Sequence, residues 1–201
     1  MSCYCGARPG GRGKFAVCLF VEDGPRKRLR SALVADTAAA LRWLEFALDG
    51  QPLEALGVVA PLSWSPDHGH WRALDRYLRR TYPELAPRLI SPASRRGATV
   101  IAGPLLVNEL RRRQTELTVT EVQPLPVMQA LADLGRDIPV LETANPNPYL
   151  SDAEVAAYCA FAAHTRRDGW LDLYRVVDED RRLQYPCGSV GCHFPTLRED
   201  R

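Results

Sequence analysis

The hydrophobic pattern changes period repeatedly between residues 15 and 60, and that succession confines the chain to a mixed α/β architecture. Residues 15–22 read as a strand, Asp23-Gly24-Pro25 as a turn, and residues 28–35 as the returning partner of a hairpin. Asp36 is placed to cap a helix that runs to about Leu48, with Leu41, Leu44 and Leu48 on one face and Gly50 as its stop. Residues 56–60 are then continuously apolar, the pattern of a short strand buried on both faces of a sheet, and Pro61 ends the run. A helix followed by such a strand fits an α/β layer structure and not a helical bundle.

The rest of the chain continues the alternation. Residues 1–5 form a strand candidate and residues 6–13 a glycine-rich loop. Helices are expected over residues 70–82, over residues 104–113 with Pro104 in the first turn, and over residues 126–134. Residues 117–122 read as a strand carrying Glu121 near its end. Residues 143–149, with Asn145-Pro146-Asn147-Pro148, read as a loop. Ser151 and Glu154 have capping-box spacing and are expected to open an alanine-rich helix to about His164; residues 171–195 suggest short strands. No repeat or linker interrupts the sequence, and 201 residues suit one domain, 1–201.

Charge narrows the function classes by placement more than by sum. Twenty-six basic residues, of which 24 are arginines, face 24 acidic ones, so the formal net charge of +2 gives no strong overall field and argues against a polybasic, histone-like mode of binding. On the helix expected at residues 70–82, Leu74, Tyr77 and Leu78 point one way, whereas Arg72, Arg76, Arg79 and Arg80 gather opposite them. Such a row is either a solvated face or a surface contacting nucleic-acid phosphates, for which the guanidinium fork is well shaped. The N-terminal residues do not read as a secretory signal, and the apolar run of residues 15–21 is too short to span a bilayer, so a cytoplasmic protein without membrane contact is expected.

In that setting six cysteines read as thiols, with Cys18 and Cys159 as small core residues. Cys3, Cys5, Cys187, Cys192 and His193 are the candidates for structural zinc. Their C-x-C and C-x-x-x-x-C-H spacings lie outside the usual paired hooks, so zinc is not the expectation.

Familiar catalytic motifs fail at mechanistic positions. Gly13-Lys14 would end a phosphate-cradling loop, but Arg8 stands where that loop needs glycine and Phe15 where it needs a hydroxyl. Gly11-x-Gly13 meets Ala16 at its third glycine position, and Ser63 and Ser65 lack a nucleophile elbow's glycines. Asp67, His68 and His70 cluster after the apolar strand, where α/β proteins build sites for a metal or a general base.

Taken in order, several segments resemble one family. A short strand meets a Gly6-Ala7-Arg8-Pro9-Gly10-Gly11 loop and is followed by a hairpin, a strand ending in Ala60-Pro61-Leu62, the helix around Arg72 to Arg80, the strand Thr120-Glu121-Val122-Gln123-Pro124, and the helix around Ala156 to Ala163. This order resembles the uncharacterised ribonuclease-H-like "predicted nuclease" family, a domain of unknown function, over nearly the whole chain. The resemblance implies a mixed five-stranded sheet, its first three strands antiparallel, flanked by helices. It also implies a site for two divalent metals, Mg²⁺ or Mn²⁺, held by carboxylates from several strands and the last helix.

Measured against that pattern, the acids are largely missing. Tyr4 and Cys5 stand where the first strand should end in aspartate, Ala60 precedes Pro-Leu, and Val155 occupies the acid position of the last helix. Glu121 matches, and Asp152 and Glu154 lie within a turn of the last position, so these three are the catalytic candidates. A rearranged metal site would draw on Glu121, Asp67 and His68. Taken alone, Glu121 also reads as a strand-end acid paired with an arginine. The resulting expectation is a domain that has lost its two-metal site and serves as a nucleic-acid-associated or protein-interaction component. The alternative is a metal-dependent phosphodiesterase rearranged around Glu121.

Overall fold

A computed structural model describes residues 1–11, 13–64, 71–89, 98–136, 138, 145–177 and 185–196. It is an α/β structure built on a five-stranded mixed sheet flanked by helices. The strands are β1 (Ser2–Arg8), β2 (Phe15–Asp23), β3 (Arg26–Val34), β4 (Leu53–Val58) and β5 (Thr118–Glu121), in the spatial order β3-β2-β1-β4-β5. The first three are antiparallel, Cys5 facing Leu19 across β1–β2 and Leu19 facing Arg30 across β2–β3. β4 runs parallel to β1, and β5 parallel to β4.

Strand alternation sends side chains to two cores. Tyr4, Cys18 and Phe20 face α2 (Ala73–Thr81), α4 (Pro124–Asp133) and α5 (Pro148–His164), whereas Cys5, Val17, Leu19 and Leu56 face α1 (Thr37–Leu48) and α3 (Ala98–Arg113). A six-residue 3₁₀ segment, Pro83–Arg88, follows α2, and β6 (Trp170–Asp172), α6 (Leu173–Val176) and β7 (His193–Pro195) complete the described elements. Among the described residues no helix is long and apolar enough to cross a membrane.

The alanine-rich α5 lies closest to the sheet, and its eleven residues from 153 to 163 are all buried. Two strand glycines make room for it. A Cβ on Gly6 would stand 1.9 Å from the Ala153 carbonyl oxygen, and one on Gly57 would stand 2.1 Å from that of Ala156. A helix buried all round belongs in the centre of a layered structure, with sheet on one side and other elements on the other.

Several expected boundaries shift. Gly6, Ala7 and Arg8 belong to β1 and not to a loop, because Gly6 and Ala7 pair with both β2 and β4 and Arg8 with β2. Pro104 lies inside α3, which begins at Ala98. The expected capping box does not open the late helix: Asn147 accepts from the Tyr149 N–H at 2.9 Å, Pro148 takes the first turn, and Ser151 and Glu154 lie further in. Asp36 caps α1 as expected, accepting from the Ala39 N–H at 2.8 Å.

Candidate functional site

Glu121 ends β5 and is fully buried. Arg72, at the N-cap of α2, is 2 % exposed and directs its guanidinium onto both carboxylate oxygens: Nη2 donates to Oε1 at 2.6 Å and Nη1 to Oε2 at 2.8 Å. The fork also serves Asp75, one turn on, with Nε donating to Oδ2 at 2.8 Å and Nη2 to Oδ1 at 2.9 Å. The Leu62 N–H donates to Glu121 Oε2 at 2.8 Å and the Tyr174 hydroxyl to the same atom at 3.0 Å, while Gln123 Nε2 reaches Oε1 at 3.2 Å. Ser63 completes the cluster, its hydroxyl accepting from Arg72 Nη1 at 2.9 Å and lying 2.8 Å from that of Tyr174.

Electrostatics follow from this packing. Burial opposes a charge on Glu121, but the Arg72 guanidinium and the hydrogen bonds from Arg72, Leu62 and Tyr174 outweigh it, holding the carboxyl below its usual range. Burial, aided by the Glu121 charge, pushes the Tyr174 hydroxyl well above the usual phenol range, so it stays protonated and donates. The cluster is a carboxylate sealed by a guanidinium, with its polar atoms already engaged.

Beside it, Gln123 lines a cleft of about 140 Å³ at the carboxyl ends of β1, β4 and β5, together with Arg8, Pro9, Val59, Thr99 and Asp152. Asp152, expected as a catalytic acid, accepts from Arg8 Nε here at 2.8 Å, and the Arg8 guanidinium lies 4.1 Å from the Tyr149 ring centroid. Glu154 is turned elsewhere, accepting from Ser31 Oγ and Asn145 Nδ2, each at 2.9 Å. Glu121, Asp152 and Glu154 therefore do not converge, and among the described residues no three His, Cys, Asp or Glu side chains gather as a metal-ligand set. A far larger groove, about 1090 Å³, lies between β5, the end of α5 and residues 187–193; Arg111, Arg166, Arg175 and His193 line it, and none of the three acids does.

The remaining expectations fall out unevenly. Asp67, His68 and His70 lie outside the described residues. Of the basic row, Arg72 is not on the exposed face but buried as the partner of Glu121, because α2 begins only at Ala73. Arg79 stacks 4.3 Å from the Trp71 ring centroid and donates to the carbonyls of Ala86 and Leu89. Arg76 and Arg80 are exposed, Arg76 donating to the Trp71 carbonyl. Cys3, Cys5 and Cys187 belong to one core and Cys192 to the other, all as free thiols, so these four do not converge. Burial pushes the Cys5 thiol far up, which removes the thiolate that a nucleophile requires.

Sequence reading missed Ser63, Asp75 and Tyr174 as parts of the Glu121 cluster. The R-x-x-D spacing of Arg72 and Asp75 was the available local signal; Tyr174 approaches only through tertiary packing. No family model matches the chain, and neither a curated protein nor a solved structure does.

Proposed function

We propose that the chain is a ribonuclease-H-like domain that no longer cuts nucleic acid and instead holds it. The strand order β3-β2-β1-β4-β5, with three antiparallel strands followed by two parallel ones, supports the fold part of this reading. The loss of cutting rests on one observation above all: both oxygens of Glu121, the one carboxylate that matches the family pattern, are occupied by Arg72. A divalent ion there would have to displace a buried guanidinium that fills both oxygens and is itself held in place by Asp75. With Cys5, Ala60 and Val155 at the other acid positions and Asp152 paired to Arg8, the residues present do not fit a two-metal centre.

The test is one preparation assayed two ways. With single- and double-stranded DNA and RNA, the protein gives no cleavage in Mg²⁺ or Mn²⁺ and binds at least one of the four in a salt-sensitive manner. Divalent-dependent cleavage that disappears in Glu121→Gln would establish the rearranged phosphodiesterase instead. Absence of binding to all four at low salt removes the nucleic-acid part.

A further inference from the structure

We infer that the nucleic-acid surface of this chain is the edge strand β3, whose Arg26, Arg28 and Arg30 form a row for the phosphates of one strand; the inference rests on the nucleic-acid reading above. Residues 26–30 are Arg-Lys-Arg-Leu-Arg, and the pleat sorts these four cations onto two faces. Lys27 faces α5, with its Nζ 3.7 Å from Glu22 and 5.3 Å from the Phe161 ring centroid. Arg26, Arg28 and Arg30 share the opposite face, standing across from Asp23, Val21 and Leu19 of β2. All three are exposed, and among the described residues none makes an ion pair.

Asp23 stands opposite Arg26 at the hairpin end without bridging it. On α1, which packs on the neighbouring β2, Glu45 lies 3.8 Å from Arg113. Every second residue of a strand advances by about 7 Å, a step comparable with that between successive phosphates. Arginine suits such contacts because its planar fork meets phosphate oxygens in pairs. The exposed side of α2 offers less, since Arg72 is buried and Arg79 is held by Trp71, Ala86 and Leu89.

Fluorescence anisotropy with a labelled single-stranded oligonucleotide, titrated across about 50–200 mM salt, tests the assignment. Each lost phosphate contact lowers the magnitude of the log–log salt slope by about 0.7 on a single strand, so Arg26→Gln/Arg28→Gln/Arg30→Gln lowers it by about 2. Arg76→Gln/Arg80→Gln is the comparison variant and leaves the slope within error of wild type, while circular dichroism verifies that both variants are folded. If the β3 variant keeps the wild-type slope, or the α2 variant takes the loss, the β3 assignment is overturned and the nucleic-acid reading survives. A wild type that binds no oligonucleotide ends both. Loss of binding to phosphatidylserine vesicles in the β3 variant, with oligonucleotide binding intact, reassigns the row to an anionic surface and overturns the inference.

Discussion

At the scale of single residues, the pair Arg72–Glu121 carries the clearest energetic consequences. Both side chains are buried and each supplies the other's counter-charge, so removing one leaves an uncompensated charge in the interior. Arg72→Met is therefore expected to lower unfolding free energy by about 3–5 kcal/mol in urea titrations, and Arg72→Lys, which keeps the charge but not the fork, by less. The pH dependence should also change sign. In the wild type the Glu121 carboxyl is held below its unfolded value near 4.3, so its contribution is complete above that pH and is lost as pH falls through the lowered native value. In Arg72→Met, burial without a guanidinium raises the native value instead, and stability should fall as pH rises through it. Urea midpoints that fall in parallel on acidification for both proteins would refute this account. Arg8–Asp152, by contrast, is about one-quarter to one-third exposed on each side chain, and such pairs contribute about 0–1 kcal/mol.

At the scale of elements, the seat of α5 on the sheet depends on two missing side chains. Gly57→Ala would set a methyl carbon 2.1 Å from the Ala156 carbonyl oxygen, a backbone atom of a buried helix, so either α5 lifts or β4 bends. Overpacking of this kind costs about 1–3 kcal/mol, and thermal unfolding should show it as a lower midpoint, whereas Gly11→Ala, with open space around it, should change little. The hairpin of β2 and β3 and the cap of α1 by Asp36 were legible in the sequence because each is written in local period or local capping, whereas the apolar run at residues 56–60 located β4 but not its bounds, since the strand runs Leu53–Val58. The extension of β1 through Gly6 was not, since glycine signals a loop unless a helix presses on the strand there. The same limit applies to the site: an arginine partner for Glu121 could be anticipated as a residue type, but its identity could not. Arg72 read as one member of a periodic basic face, and only packing turns it inward.

At the scale of the whole sheet, its two edges are treated differently. The β5 edge is covered by residues 187–193, with Gly191 bridging Thr120, its N–H donating to the Val119 carbonyl at 3.0 Å and its carbonyl accepting from the Glu121 N–H at 2.7 Å. The β3 edge has no strand partner among the described residues and presents its cations there. Charged residues on an open edge discourage pairing with another chain, so Arg26, Arg28 and Arg30 would guard the edge whether or not they meet phosphate. The two roles separate by the choice of substitution. Glutamine at all three positions keeps the edge polar and should leave the protein monodisperse in light scattering while weakening oligonucleotide binding. Arg28→Val/Arg30→Val removes the charges and adds β-branched surface beside Leu19 and Val21, so it should raise the mean mass with protein concentration. Equal dispersity for the valine and wild-type proteins would show that edge protection does not depend on these arginines, leaving phosphate contact as the role the row can still hold.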